Sequence, residues 1–231
     1  MTKSANFVCP HYNRKTAGLG VTIWAYSRGG ASGYGCTMRE MTAGFVLVGG
    51  HSSRMGRDKA LLPGRSRSWV EELASRVEAA AGNVALVGMP QRYAALGLEC
   101  MADLRPGLGP LAGIEAALQA DRAELNLIVA CDMPDIETSW LIRLLDVSKS
   151  TAAACVATRD SVGVTHPLCA VYRKNCLAKV QSALNNGRLS VHELLGEMEA
   201  IFLDSEETIS NVNTPEEWKA WQMRREATQA R

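Results

Sequence analysis

Surplus charge is nearly absent from this chain: 25 Lys and Arg stand against 24 Asp and Glu in 231 residues, a net charge of +1. A balanced surface exerts no long-range pull on a polyanion or an anionic bilayer, so neither nucleic acid nor a membrane is an expected partner. No apolar run approaches the roughly 20 residues that span a bilayer. The stretch from Leu19 to Tyr26 leads to Arg28 without a clean small-residue cleavage site, which argues against a secretory leader. The seven cysteines include no Cys-x-x-Cys pair and no histidine at ligand spacing, which argues against a zinc site. Cys131 and Cys155 sit inside apolar runs, where a free thiol acts as a small hydrophobe, and the set fits a reducing cytoplasm.

What is present is the balance of a soluble globular protein, 47% hydrophobic and 21% charged, with length for one substantial core. Residues 1–40 differ from the rest: Gly, Ser, Thr, Asn and Tyr are frequent, and the segment reads as a poorly ordered extension with Met38 or Met41 as candidate natural starts. A single domain is expected over 41–223, followed by a tail at 224–231. From residue 43 onward apolar strands alternate with amphipathic helices, which predicts an α/β layered fold around a mainly parallel sheet. The expected strands are 43–48, 83–88, 98–102, 125–131, 152–157, 167–172 and 200–203. Helical spacing is carried by Val70, Leu73, Val77 and Ala81, by Leu111, Ile114 and Leu118, by Trp140, Leu141, Leu144 and Leu145, and by Val191, Leu194, Leu195 and Met198. Pro215 is placed to open the last helix. In such sheets ligands bind beyond the carboxyl ends of the strands, so the loop after the first strand, Asp103 and Asp132 should share one rim.

That first loop is Leu47-Val48-Gly49-Gly50-His51-Ser52-Ser53-Arg54-Met55-Gly56-Arg57-Asp58-Lys59. Two adjacent glycines allow a sharp turn that presents N–H groups to anionic oxygens, and Arg54 and Lys59 add a fork-shaped and a point-like cation. A nucleoside triphosphate suits it. The Gly-Lys-Ser/Thr ending of an ATPase P-loop is missing. Asp132, at the end of Asn126-Leu127-Ile128-Val129-Ala130-Cys131, suits a magnesium ligand, since that ion commonly takes one or two carboxylates together with substrate phosphates; capping of the next helix is the competing role. Asp103 precedes Gly107-Leu108-Gly109-Pro110-Leu111-Ala112-Gly113, a glycine pattern that also occurs in dinucleotide-binding folds. Asn213 could cap the helix opened by Pro215 or position a substrate.

The first loop resembles the Leu-x-Gly-Gly-x-Ser-x-Arg-Met-Gly-x-Asp-Lys signature of the molybdenum cofactor guanylyltransferases, MobA-like members of the nucleotidyltransferase superfamily. Cys131-Asp132-Met133-Pro134, the Asp103 to Gly113 segment and Asn211-Val212-Asn213-Thr214-Pro215-Glu216 resemble further motifs of that family, so the likeness runs from about 43 to 221. It implies a Rossmann-like three-layer nucleotidyltransferase fold and transfer of GMP from GTP to molybdopterin with magnesium. By the same resemblance Leu47, Val48, Gly49, Gly50, Lys59, Asp103 and Asp132 contact the nucleotide. Arg54, Lys59 and Asp132 carry the chemistry, Asp132 as the metal ligand. Arg188, Asn211 and Asn213 meet the second substrate, and His166 belongs to a loop on the substrate side. The acceptor is already an ionised phosphate, so no general base is demanded, and no conspicuous His or Glu dyad appears. The paired glycines favour GTP; a CTP-dependent cytidylyltransferase, a sugar-phosphate nucleotidyltransferase and a non-catalytic nucleotide-binding module are the alternatives. Molybdoenzymes and other cofactor-assembly proteins are candidate partners. The chain departs from the family at Val48, at Gly88 and across Pro63 to Trp69, positions that bear on base selectivity more than on the chemistry.

Overall fold

The computed structural model describes residues 12–17, 21–26, 40–49, 58–62, 64 and 67–229. Met1–Met38 and Arg39–Arg231 form two separate units. In the first, β1 (Tyr12–Ala17) and β2 (Val21–Tyr26) pair antiparallel, with Tyr12 opposite Tyr26 and Ala17 opposite Val21. Hydrophobic periodicity alone predicts no strand there. The two six-residue runs are rich in Thr, Val, Ile, Trp and Tyr, which suit a pleated surface even within a glycine-rich context.

The second unit runs β3 (Glu40–Leu47), α1 (Trp69–Ala81), β4 (Ala85–Gly88), α2 (Pro90–Tyr93), β5 (Cys100–Ala102), α3 (Pro110–Gln119), β6 (Ala123–Ala130), α4 (Thr138–Ser150), β7 (Cys155–Arg159), β8 (Thr165–Arg173), α5 (Leu177–Asn185), α6 (Val191–Glu197), β9 (Ile201–Asp204) and α7 (Pro215–Gln229). The last helix crosses the boundary expected at 223. Seven strands form one sheet in the order β5-β4-β3-β6-β8-β7-β9. Pairings β5–β4, β4–β3, β3–β6 and β7–β9 are parallel, and β8 runs antiparallel to both β6 and β7. The expected mainly parallel sheet is therefore present, and all seven expected strands fall within it.

Side chains alternate between two cores, as a strand buried on both faces requires. Val46, Leu127 and Val129 meet α1, α4 and α7 through Val70, Leu73, Leu141, Leu144 and Trp218. Phe45 and Ile128 meet α3, α5 and α6 through Ile114, Leu118, Val180 and Leu194. Each fully buried leucine contributes about 2 kcal/mol from lost hydration. Local signals set the helix starts: Ser68 N donates to the Glu71 carboxylate at 2.8 Å, the N3 half of a capping box, and Pro110 occupies the first position of α3. Cys155 and Cys169 are free thiols in these cores, and burial pushes the Cys169 thiol up to about 12. Among the described residues no helix is long and apolar enough to cross a membrane.

The strand order fixes the rim. Sequence continues from β3 to one side, through β4 and β5, and returns to β6 on the other, so the chain after β3 leaves the sheet where the winding reverses. That reversal is where open α/β sheets bind ligands.

Candidate active site

At the end of β3, Val48 N donates to Val87 O at 2.9 Å, so the loop leaves the sheet in a fixed direction. Gly49 follows with φ +102°, a conformation that a side-chain-bearing residue adopts only with strain. Leu47 turns its side chain against α3 at Gly113, while its carbonyl accepts from Cys131 N at 3.2 Å. Gly88 closes β4 for a steric reason: a Cβ there would stand 2.3 Å from Val48 O. The departure at Gly88 is thus tied to the backbone path of Val48. Gly50 and Arg54 lie outside the described residues, and Lys59 is described by its backbone, at the start of a 3-10 turn Lys59–Leu61.

The chain re-enters the described structure at Asp58. Its Oδ1 accepts from Ala60 N at 3.0 Å, and its Oδ2 from Tyr93 Oη at 2.8 Å and from Arg92 Nη1 at 3.2 Å. Burial, followed by the hydrogen bond and charge of Asp58, raises the Tyr93 phenol far above its usual value, so it remains a donor. This clamp links the far end of the glycine-rich loop to α2, and the sequence reading assigned Asp58 no role. Tyr93→Phe is expected to cost about 1.5–3 kcal/mol, the range for a hydrogen bond to a charged group, and to raise KM for the nucleotide. Urea unfolding and initial-rate kinetics check both; unchanged values would mean that Arg92 and Ala60 hold Asp58 without the phenol.

Asp132 stands in the turn directly after β6, half-buried, with Oδ1 turned inward. It does not cap α4, which begins at Thr138 with Glu137 as its flanking residue. The competing structural role considered for this carboxylate is therefore unfilled. Its carbonyl accepts from Val212 N at 2.8 Å, and Val212 buries its side chain in the core while Asn211 and Asn213 on either side are exposed. The segment carrying the two asparagines is thus laid against the Asp132 turn. Capping of α7 falls to Thr214 and Glu217: Thr214 Oγ1 accepts from Glu217 N at 3.2 Å, and Glu217 Oε2 accepts from Thr214 N at 3.1 Å and from Asn213 N at 2.6 Å. The Thr-x-x-Glu pattern was the available signal for this box.

Asp103 follows β5, and its N–H donates to Gly88 O at 3.0 Å. Asp103 Oδ1 accepts from Arg105 N at 2.9 Å, shaping the loop, and Arg105 reaches buried Glu115 from Nε at 2.9 Å and from Nη2 at 3.0 Å. Arg105 Nη1 also donates to Asn185 Oδ1 at 2.7 Å, which brings the end of α5 to this rim. Arg188, in the following loop, pairs with Glu197. Asp103 and Asp132 leave strands separated by β4 and β3, three steps of about 4.8 Å or about 14 Å in all. One cation cannot take both carboxylates directly across that span. His166 is buried at the start of β8, with Nε2 3.1 Å from Asp160 Oδ2. Burial raises the Asp160 pKa, but hydrogen bonds from His166 and from the backbone N–H groups of Val164, Val162 and Ile209 outweigh it and hold the carboxyl below its ordinary value.

The family model described as MobA-like NTP transferase domain matches residues 44–201. The chain belongs to the MobA-like NTP transferase family. It is a nucleotidyltransferase. A Flavobacterium johnsoniae protein named a probable molybdenum cofactor guanylyltransferase is 32% identical over 182 residues, covering 77% of this chain and 95% of that protein. A Xanthomonas euvesicatoria protein named molybdenum cofactor guanylyltransferase is 32% identical over 190 residues, covering 79% and 95%. The MobA-like fold recurs in the crystal structure of molybdopterin-guanine dinucleotide biosynthesis protein A from Archaeoglobus fulgidus, with a TM-score of 0.67 at 22% identity over 78% of this chain and 96% of that one. A CMP:2-keto-3-deoxy-manno-octonic acid synthetase complexed with CTP shares the fold at a TM-score of 0.67 and 12% identity, over 83% of this chain and all of that one.

The family resemblance implies magnesium, and Asp132 gives this rim one oxygen donor of the kind that ion takes. Among the described residues no group of three or more His, Cys, Asp and Glu gathers as a metal cage. Magnesium does not need one, because it keeps waters and takes the remaining oxygens from substrate phosphates. A carboxylate at the rim, after the strand adjacent to the one that leads to Gly49, fits that donor set.

Proposed function

We propose that this nucleotidyltransferase moves GMP from GTP to the terminal phosphate of molybdopterin, forming the guanine dinucleotide cofactor and releasing pyrophosphate. The observation that carries this reading is that Gly49 and Asp132 leave adjacent strands whose ends are joined by the Cys131 to Leu47 hydrogen bond. The names of relatives at 32% identity support the choice of substrates.

An oxygen of the acceptor phosphate attacks the α-phosphorus, the bridging oxygen between the α- and β-phosphates leaves with pyrophosphate, and a new phosphoanhydride forms. The attacking group is already anionic, so the protein's work is alignment and charge placement. The N–H groups of Gly49 and Gly50 hold phosphate oxygens, and Arg54 and Lys59 neutralise the charge that builds on pyrophosphate. Asp132 would hold magnesium. When bound, that ion screens the phosphate oxygens from one another and withdraws charge from the reacting phosphorus. Asp103, three strands away, serves the nucleoside end, while Asn211, Asn213 and Arg188 receive the acceptor.

The test is pyrophosphate release with each of the four nucleoside triphosphates, with and without molybdopterin. Release with GTP that requires molybdopterin is expected. A preference for CTP, or release that follows a sugar phosphate, would overturn the assignment.

A further inference from the structure

We propose that Arg76 and Trp221 are positioning residues for Asp132, so that α1 and the C-terminal helix α7 set how tightly the enzyme holds its divalent cation. The inference rests on the reading of Asp132 as the cation's carboxylate.

A turn that leaves a sheet loses its ladder partners, and its backbone polar groups must find others. Between Cys131 and Ile136 they find side chains from distant helices. Trp69 Nε1, at the start of α1, donates to Cys131 O at 2.7 Å. Two turns later on that helix, Arg76 Nη1 donates to Pro134 O and to Ile136 O, each at 2.9 Å. Trp221 Nε1, from α7, holds the turn by a side chain instead, donating to Asp135 Oδ1 at 2.6 Å. With Val212 N on the Asp132 carbonyl, anchors stand before, at and after the carboxylate-bearing residue.

The anchors also brace one another. The Arg76 guanidinium lies 5.5 Å from the Trp69 ring centroid. Trp69 meets Trp221 edge-on at 5.8 Å and Trp218 at 6.3 Å. A guanidinium whose Nη1 serves two carbonyls while its carbon lies over an indole has few alternative positions, and a lysine ammonium keeps the charge but not the planar contact with the ring. A purely apolar contact would bury similar area but would leave the turn free to slide. Polar anchoring fixes the position of Asp132 in the plane of the rim, and metal ligands depend on such outer partners for affinity, typically 10- to 100-fold.

The experiment uses the full chain with Arg76→Met, Arg76→Lys, Trp221→Phe and Asp132→Asn. Met keeps the apolar stem over Trp69, and Phe keeps an aromatic ring against Trp69 and Trp218, so both retain part of the packing while losing donors. Formation of the enzyme–Mn2+–GTP complex is followed by water-proton relaxation with the acceptor withheld, so no turnover is read. Complex formation should weaken about tenfold in Arg76→Met and Trp221→Phe, less in Arg76→Lys, and most in Asp132→Asn. In the same variants kcat should recover at high metal concentration. Wild-type Mn2+ affinity in both anchor variants, alongside a weakened Asp132→Asn complex, would overturn the proposal and leave the contacts a structural role visible only in Tm. Unchanged affinity in Asp132→Asn itself would overturn the metal assignment beneath it. If Arg76→Met fails to fold, Arg76→Lys and Trp221→Phe decide the matter alone.

Discussion

Asp132→Asn is expected to reduce turnover on the order of 100-fold or more at ordinary magnesium, the scale for removing a group that stabilises transition-state charge. The protein should remain folded. Asparagine preserves size and one acceptor oxygen, and the backbone bond from Val212 to residue 132 does not involve the carboxylate. The change in Tm should stay under about 4 °C, which corresponds to roughly 1 kcal/mol for a chain of this size. Part of the activity should return as magnesium is raised, because a weakened ligand is offset by mass action. A magnesium titration of pyrophosphate release and a thermal melt on the same preparation give both readings. An active variant with unaltered magnesium dependence would remove Asp132 from the metal site.

Lys59→Ala should act differently. A cation facing the triphosphate gains strength as charge accumulates on the leaving pyrophosphate, so the loss should appear mainly in kcat, again on the order of 100-fold. Added magnesium should not restore it. The backbone of Lys59 is already fixed, because Asp58 Oδ1 holds Ala60 N and Asp58 O accepts from Leu61 N at 3.1 Å. The ammonium therefore starts from a preset origin, and its removal should leave the clamp to Tyr93 intact. Steady-state kinetics with GTP checks this, and a near-normal kcat would exclude Lys59 from the mechanism.

Much of the fold was legible because its determinants are local. Apolar runs such as Leu125 to Val129 mark strands, and proline at the first position announces α3 and α7. The polarity of β8 had no such signal, since a buried strand reads the same in either direction. The β1–β2 hairpin was missed because glycine and serine around it masked two short alternating runs. Of the candidate site, Gly49 and Asp132 were visible within motifs. Trp69 was not, although it closes the stretch from Pro63 that departs from the family pattern, because its partner Cys131 lies 62 positions away. Trp221 and Asp135 are 86 positions apart. Positioning contacts of this kind exist only once the helices have packed. His166 could be read as a substrate-side residue from its motif, but the structure shows it buried against Asp160, which fixes the turn between β7 and β8.

That turn has its own bearing on how the enzyme could diversify. With β8 reversed, β7 and β8 meet in a hairpin whose tip lies at the same rim as the carboxyl ends of β3 and β6. Asp160 gathers the tip by accepting from Val162 N at 3.1 Å and from Val164 N at 2.8 Å, while both valine side chains remain exposed. A hairpin tip tolerates insertion far better than a crossover between parallel strands, because lengthening it changes neither register nor winding. The reversed strand therefore supplies a modular wall: the half of the rim beyond β6 can be rebuilt without disturbing the half that carries Gly49.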